Sequence, residues 1–235
     1  MEAPIFLNDS YAQECDAKIA EMPEPKKAVL DKNLFYPRGG GQPSDKGQLV
    51  RGSEIFNVLN VEKKEGKIIH ELDREGLAAG DSVHCKLEWK RRHALMRMHT
   101  AAHILAGMFA AETGALITGN QLEEDRSRFD FSLENFDRAK FDELVQKANE
   151  IIAKGIELKI YSLPREEAMK IPGIVKLAAA LPPAIAVLRI VEIPGADIQA
   201  DGGTHVKNTF EIGKIEILKL DNKGAANRRI YFTLK

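Results

Sequence analysis

Two strings far apart in the chain, His99-Thr-Ala-Ala-His103 and Asp201-Gly-Gly-Thr-His205, constrain the fold more than any other feature. The first sits in an apolar, Ala- and Leu-rich run from Trp89 to Ala111 that reads as a helix. Residues i and i+4 of a helix lie nearly above one another, so His99 and His103 share a face. Two imidazoles there and a third, His205, from a distant Gly-rich turn make a set that a zinc ion can close, with Asp201 as an oxygen donor. Any fold of this chain has to bring the turn to the helix.

The remaining composition is ordinary. The chain has 235 residues, enough for one large domain or two modest ones, and is 44% hydrophobic and 29% charged. A formal net charge of -1 excludes a global electrostatic nucleic-acid binder, so any such contact has to use local patches. Cys15 and Cys85 form neither a disulfide framework nor a C-x-x-C zinc site, and read as reduced thiols of a cytosolic protein. No apolar run approaches the roughly 20 residues that span a bilayer. The acidic start, MEAPIFLNDS, does not read as a signal peptide.

Along the chain, residues 1–88 carry short β-like runs at Lys26–Asp31, Glu54–Val61, Lys67–Leu72 and Ser82–Trp89. Lys63-Lys64-Glu65-Gly66 reads as a hairpin turn between two of them, and the whole as a small β-barrel. Tyr36-Pro-Arg-Gly-Gly-Gly-Gln-Pro43 interrupts it as a turn-rich loop. Residues 89–235 begin with the histidine helix. Strands are expected at Arg128–Leu133, Glu157–Ser162, Ala184–Ile193, Lys214–Leu220 and Arg229–Leu234. The apolar run Ala184–Ile193 reads as central in its sheet, and Asp221-Asn-Lys-Gly224 as the turn of a final strand pair. Asn135–Lys154 reads as an amphipathic helix, with Phe136, Phe141, Leu144, Val145, Ala148, Ile151 and Ile152 on one side, and Arg165–Lys170 as a short one. Segregated strands and helices favour an α+β fold with a mostly antiparallel sheet.

Each motif also has an ordinary reading. The helix pair lacks the Glu of H-E-x-x-H, which disfavours a protease. His70, His84 and His93 fall in no pattern and read as structural or exposed. The two glycines of the Asp201 turn allow backbone geometry closed to other residues, although Asp is also common in plain turns. Gly39-Gly40-Gly41-Gln42 lacks the P-loop spacing and reads, taken alone, as a tight connector. Arg91 and Arg92, with Lys90 and Arg97, make either a phosphate-facing patch or a solvated helix end. Lys207, Lys214, Lys219, Lys223, Arg228 and Arg229 concentrate positive charge near the C-terminus, partly offset by Glu211 and Glu216, and the two arginines read either as phosphate contacts or as structural partners of those acids.

The order FYPRGGGQPSDKG, HTAAH, RFDF, DGGTHVKNTFEIG and NRRIY resembles the alanyl-tRNA editing proteins (AlaX), which are similar to the editing domain of alanyl-tRNA synthetase. The resemblance runs from about residue 30 to the end, and the length fits the medium form. It implies a β-barrel domain over 1–88 carrying the Gly-rich loop, then a metal-dependent editing domain over 89–235. It also implies hydrolysis in trans of the ester that joins serine, or glycine, to tRNA(Ala) at a zinc site. The family's histidine ligands fall on His99, His103 and His205, and its cysteine ligand on Asp201. That departure leaves three readings: a carboxylate ligand, water in that position, or weakly held metal. Thr118 matches by spacing the residue that senses the serine hydroxyl.

The chemistry is consistent with these residues. An aminoacyl ester is already activated, and a metal activates water or polarises the substrate. Amides of Gly202 and Gly203 offer oxyanion donors, and a buried hydroxyl at Thr118 would reject alanine. Phosphates of the acceptor end would meet Arg91, Arg92, Lys207, Arg228, Arg229 and the Gly39–Gln42 loop. Editing of seryl-tRNA(Thr), or a metal-poor tRNA-binding module without catalysis, stay open as alternatives; a general metallohydrolase is disfavoured by the motif set.

Overall fold

The computed structural model describes residues 3–133, 138–174, 185–224 and 227–235. The fold is α+β, and every strand pair among the described residues is antiparallel. Packing divides the chain into Met1–Leu95 and Met96–Lys235.

The first unit opens with one helical turn, α1 (Ile5–Asn8), and is built on a closed barrel. Its strands are β1 (Glu14–Glu24), β2 (Lys27–Leu30), β3 (Gly47–Arg51), β4 (Glu54–Lys64), β5 (Lys67–Leu72) and β6 (Ser82–Leu87), in spatial order β1-β2-β5-β4-β3-β6. Alternation sends every second side chain inward. In β4, Phe56 and Val58 point in, and strict alternation would next bury Asn60. A register shift between Val58 and Asn60 resets the phase, so Val61 is buried instead. The β4–β5 hairpin turns at Glu65 and Gly66, both with positive φ, as the sequence suggests. Gly47 lets β3 close on β6, because a Cβ there would overlap the Lys86 carbonyl. β1 and β3 carry weak strand signals and are absent from the sequence reading.

Helix α2 (Trp89–Thr113) spans the division between the units. From Met96 onward it is apolar nearly all round, with Met98, Ala101, Ala102, Ile104, Leu105 and Phe109 buried, as for a helix enclosed by its own unit. β7 (Ile117–Gln121) and β8 (Ser127–Phe131) follow, then α3 (Arg138–Ala153). Phe109 packs on Phe131 and Phe141, tying α2 to β8 and α3. Phe136 and the expected start of α3 lie outside the described residues, as does the beginning of the Ala184–Ile193 run.

Two sheets complete the second unit. One has the order β11-β10-β9, from β9 (Lys159–Pro164), β10 (Val187–Ile193) and β11 (Asp197–Ala200), with the single turn α4 (Arg165–Ala168) after β9. β10 is central, as its apolar run suggests. The other has the order β12-β13-β8-β7, with β12 (Ile215–Asn222) and β13 (Arg228–Leu234) as the expected final pair.

Candidate metal centre

The turn does reach the helix. His99 and His103 project from α2, one turn apart, and Asp201 and His205 come from the loop after β11. Ring centroids are 5.1 Å apart for His99–His103, 4.5 Å for His99–His205 and 4.6 Å for His103–His205. One donor atom from each of His99, His103, Asp201 and His205 lies within 4.8 Å of all the others. The imidazole side chains are at most 6% exposed, while the Asp201 side chain keeps 19% of its surface open.

Local structure fixes this loop. The Asp201 amide donates to the Arg189 carbonyl of β10 at 3.0 Å. The Arg189 guanidinium returns through Nη1 to the carbonyls of Asp201 and Gly203, at 3.0 and 3.1 Å. The Gly203 amide donates to Asp201 Oδ2 at 2.5 Å. That amide, expected from the sequence to be an oxyanion donor, is here directed at the carboxylate. Neither Gly202 nor Gly203 has a positive φ, so backbone freedom is not what selects glycine at either position. Space is the reason at Gly203, where a Cβ would overlap the His99 ring.

Hydrogen bonds set the tautomer of His205. The Thr100 hydroxyl donates to the Met96 carbonyl at 2.9 Å and accepts from the Val206 amide at 3.3 Å. Its oxygen lies 3.1 Å from His205 Nδ1. With the hydroxyl proton committed, Nδ1 carries the ring proton and donates, leaving Nε2 with a lone pair. That Nε2 faces Asp201 Oδ2 at 3.0 Å, and His99 Nε2 lies 3.7 Å from Oδ1. Two acceptors at such a separation repel unless a proton or a cation lies between them. Burial disfavours the proton: it drives His205 well below the ordinary imidazole range, and His99 down to about 4 against the pull of Asp201. Burial also works to raise Asp201, but the facing histidines, His99 first, outweigh it and hold the carboxyl well below its usual range. Neutral imidazoles around an ionised carboxylate are the donor set that suits a divalent cation.

The other sequence candidates are placed differently. Thr118 sits at a bulge of β7, exposed, and its hydroxyl donates to Asn227 Oδ1 at 3.4 Å; the expected buried hydroxyl is not there. Arg92 is fully buried: it forks onto the equally buried Asp45 and donates to the Ser10 and Leu34 carbonyls at 2.9 Å each, so it holds the first unit together and is no surface contact. Arg91 is half-buried and donates to the Ser44 carbonyl at 3.1 Å. Arg228 is 5% exposed and folds onto Asn222 and the Gly224 carbonyl. Arg229 forks onto Asp130 at 2.5 and 2.8 Å across the β13–β8 pair, not onto Glu211 or Glu216. For Arg229 the neighbouring strand offers a closer acid than either that linear distance suggests. Of the five basic candidates, Lys207 is the exposed one.

Gly39 and Gln42 exchange backbone hydrogen bonds at 3.1 and 2.9 Å around Gly40 and Gly41, both at positive φ. The Gly-rich loop is thus a tight two-residue turn with Gly40 at its exposed tip, and the Gln42 side chain is fully buried, which removes it as an RNA contact.

Sequence reasoning missed Thr100, Arg189, Asp197 and Gln199. Thr100 stands inside the histidine motif, and Asp197 precedes Asp201 by four residues as His205 follows it by four, which were the available signals.

Residues 4–91 match the family model described as tRNA synthetases class II (A), and residues 188–231 the one described as threonyl and alanyl tRNA synthetase second additional domain. The chain is 48% identical to the alanyl-tRNA editing protein AlaX-M of Saccharolobus solfataricus, over the whole of both chains. It is 49% identical to that of Methanosarcina barkeri, over all of this chain and 99% of the other. It is also 37% identical to the alanine–tRNA ligase of Methanothrix thermoacetophila, over 97% of this chain but 25% of the ligase. With a buried histidine–carboxylate cluster at the motif positions and full-length identity near one half, this chain belongs to the AlaX-M family of alanyl-tRNA editing proteins.

Proposed function

We propose that the protein hydrolyses, in trans, the ester linking a wrong amino acid to tRNA(Ala), with serine as its chief substrate and glycine as a second, at a zinc site formed by His99, His103, Asp201 and His205. The observation that carries this reading is the convergence of three buried imidazoles, of which His99 and His205 are proton-poor, on an ionised carboxylate. Zinc bound there supplies a Lewis acid for water or for the ester carbonyl. The protein's own groups do the rest. Thr100 holds the His205 tautomer, and Arg189 and the Gly203 amide hold the Asp201 turn. Asp201 is both a candidate ligand and the most accessible of the four, so it is the group an incoming ester or water meets first. Thr118 is exposed, so its hydroxyl discriminates only once the substrate itself shields it from water. The exposed Lys207, close in sequence to His205, and the Gly40 turn are the tRNA contacts this reading retains.

The test is a deacylation panel on the purified protein: seryl-, glycyl- and alanyl-tRNA(Ala), with seryl-tRNA(Thr) as control, before and after chelation and zinc readdition. Seryl-tRNA(Ala) should be cleared much faster than alanyl-tRNA(Ala), and chelation should remove the activity. Equal rates on those two substrates refute serine editing, faster clearance of seryl-tRNA(Thr) moves the substrate to that tRNA, and activity indifferent to chelation refutes the zinc assignment.

A further inference from the structure

The Asp197 side chain is fully buried at the start of β11. Its Oδ2 accepts from Gln199 Nε2 at 2.9 Å and lies 3.0 Å from Nδ1 of His103. That ring nitrogen is itself buried and makes no hydrogen bond of standard geometry, the carboxylate being at ion-pair distance but off the N–H line. We propose that Asp197 is a positioning residue for the metal centre: its carboxylate keeps the proton of His103 on Nδ1 and so commits Nε2 of that ring to the cation.

Three observations support this. A buried carboxylate needs donors, and the His103 Nδ1 lies 3.0 Å from Asp197 Oδ2. The approach is built in: Gly107 lies one turn beyond His103 on α2, and a Cβ there would overlap the Ala196 carbonyl and come within 3.1 Å of Asp197 Oδ1. Glycine therefore lets the β10–β11 turn sit against the helix beside His103. Finally, Thr100 performs the same service for His205, so two of the three rings have their far nitrogen addressed by a buried side chain. Metal-binding histidines ordinarily donate their other N–H in this way, which fixes the tautomer and raises ligand basicity.

The inference rests on the metal reading above. Zinc affinity of metal-free wild type and Asp197→Asn is measured by competition with a chromophoric chelator, alongside thermal melts. The Asn side chain keeps the shape and loses the charge, so zinc should bind ~10–100-fold more weakly. A purely structural role would lower the melting temperature and leave the affinity of the folded protein alone. Independently of any variant, ¹⁵N NMR of zinc-loaded wild type should show His103 protonated at Nδ1. Equal zinc affinity in a folded Asp197→Asn, or a His103 bound through Nδ1, overturns the proposal. Failure of wild type to bind zinc at all overturns the metal reading and this inference with it.

Discussion

Adjacent glycines in the Asp201 turn give the sharpest test of the site. A Cβ on Gly203 would overlap Cε1 and Nδ1 of His99 and come within 2.9 Å of Asp201 Oδ2, whereas one on Gly202 meets nothing within 4 Å. Neither residue has a positive φ, so an alanine at either position strains no backbone and the contrast is one of space alone. To restore ordinary contact at ~3.5 Å the His99 ring has to move by about 1 Å. Metal sites hold their distances to ~0.2 Å, so a shift of that size removes a ligand. Gly203→Ala should therefore weaken zinc binding by more than the ~10–100-fold typical of disturbing an outer-shell partner. The overpacking should cost ~1–3 kcal/mol of stability, a fraction of the ~5–15 kcal/mol of a typical domain, so the variant still folds. Gly202→Ala should match wild type in both. Chelator competition and thermal melts on the two variants read these quantities directly. If Gly203→Ala binds zinc as tightly as Gly202→Ala, His99 is not held where the argument needs it.

Two predictions concern the first unit, where Trp89, the chain's single tryptophan, packs on Tyr11 and His93 and reports unfolding by fluorescence. Asp45→Asn leaves the Arg92 guanidinium buried against a neutral partner and should cost ~3–5 kcal/mol in denaturant unfolding; a loss under ~1 kcal/mol would show that the pair is not desolvated as the structure has it. His70 is fully buried and pushed down to about 4 by that burial, which outweighs its hydrogen bond to the Ala28 carbonyl. Below pH ~6.5 the unfolded chain protonates this ring and the folded one does not, so its contribution is intact above that pH and is lost as pH falls toward about 4, some 3 kcal/mol in all. His70→Gln should flatten the fall in unfolding free energy over that window by a comparable amount, and an unchanged slope would refute the assignment.

Much of the site is legible in the sequence because its two halves are each local. A helix turns i and i+4 onto one face, so His99 and His103 announce themselves, and Asp201 and His205 share one short turn. The partners that tune them are not legible. Thr100, Arg189 and Asp197 become relevant only when β10, β11 and α2 are brought side by side, and a lone Thr, Arg or Asp in a strand or helix has many ordinary uses. The arginines show the same limit in reverse. Arg92, Arg228 and Arg229 read as a basic surface because charge is visible in a sequence, while Asp45, Asn222 and Asp130, which absorb it, are identified only by packing.

What the sequence determined by itself was periodicity and local chemistry: the apolar helix with its histidine pair, the alternation that makes barrel strands, the α+β class, and the turns at Lys63–Gly66 and Gly39–Gln42. The tertiary structure alone decided closure and burial. Barrel closure needs the bulge after Val58 and the missing Cβ of Gly47, neither of which periodicity encodes. Burial makes His99 and His205 proton-poor, and the facing histidines hold Asp201 ionised against its own burial, because desolvation and facing charges act through space between residues that the chain holds far apart.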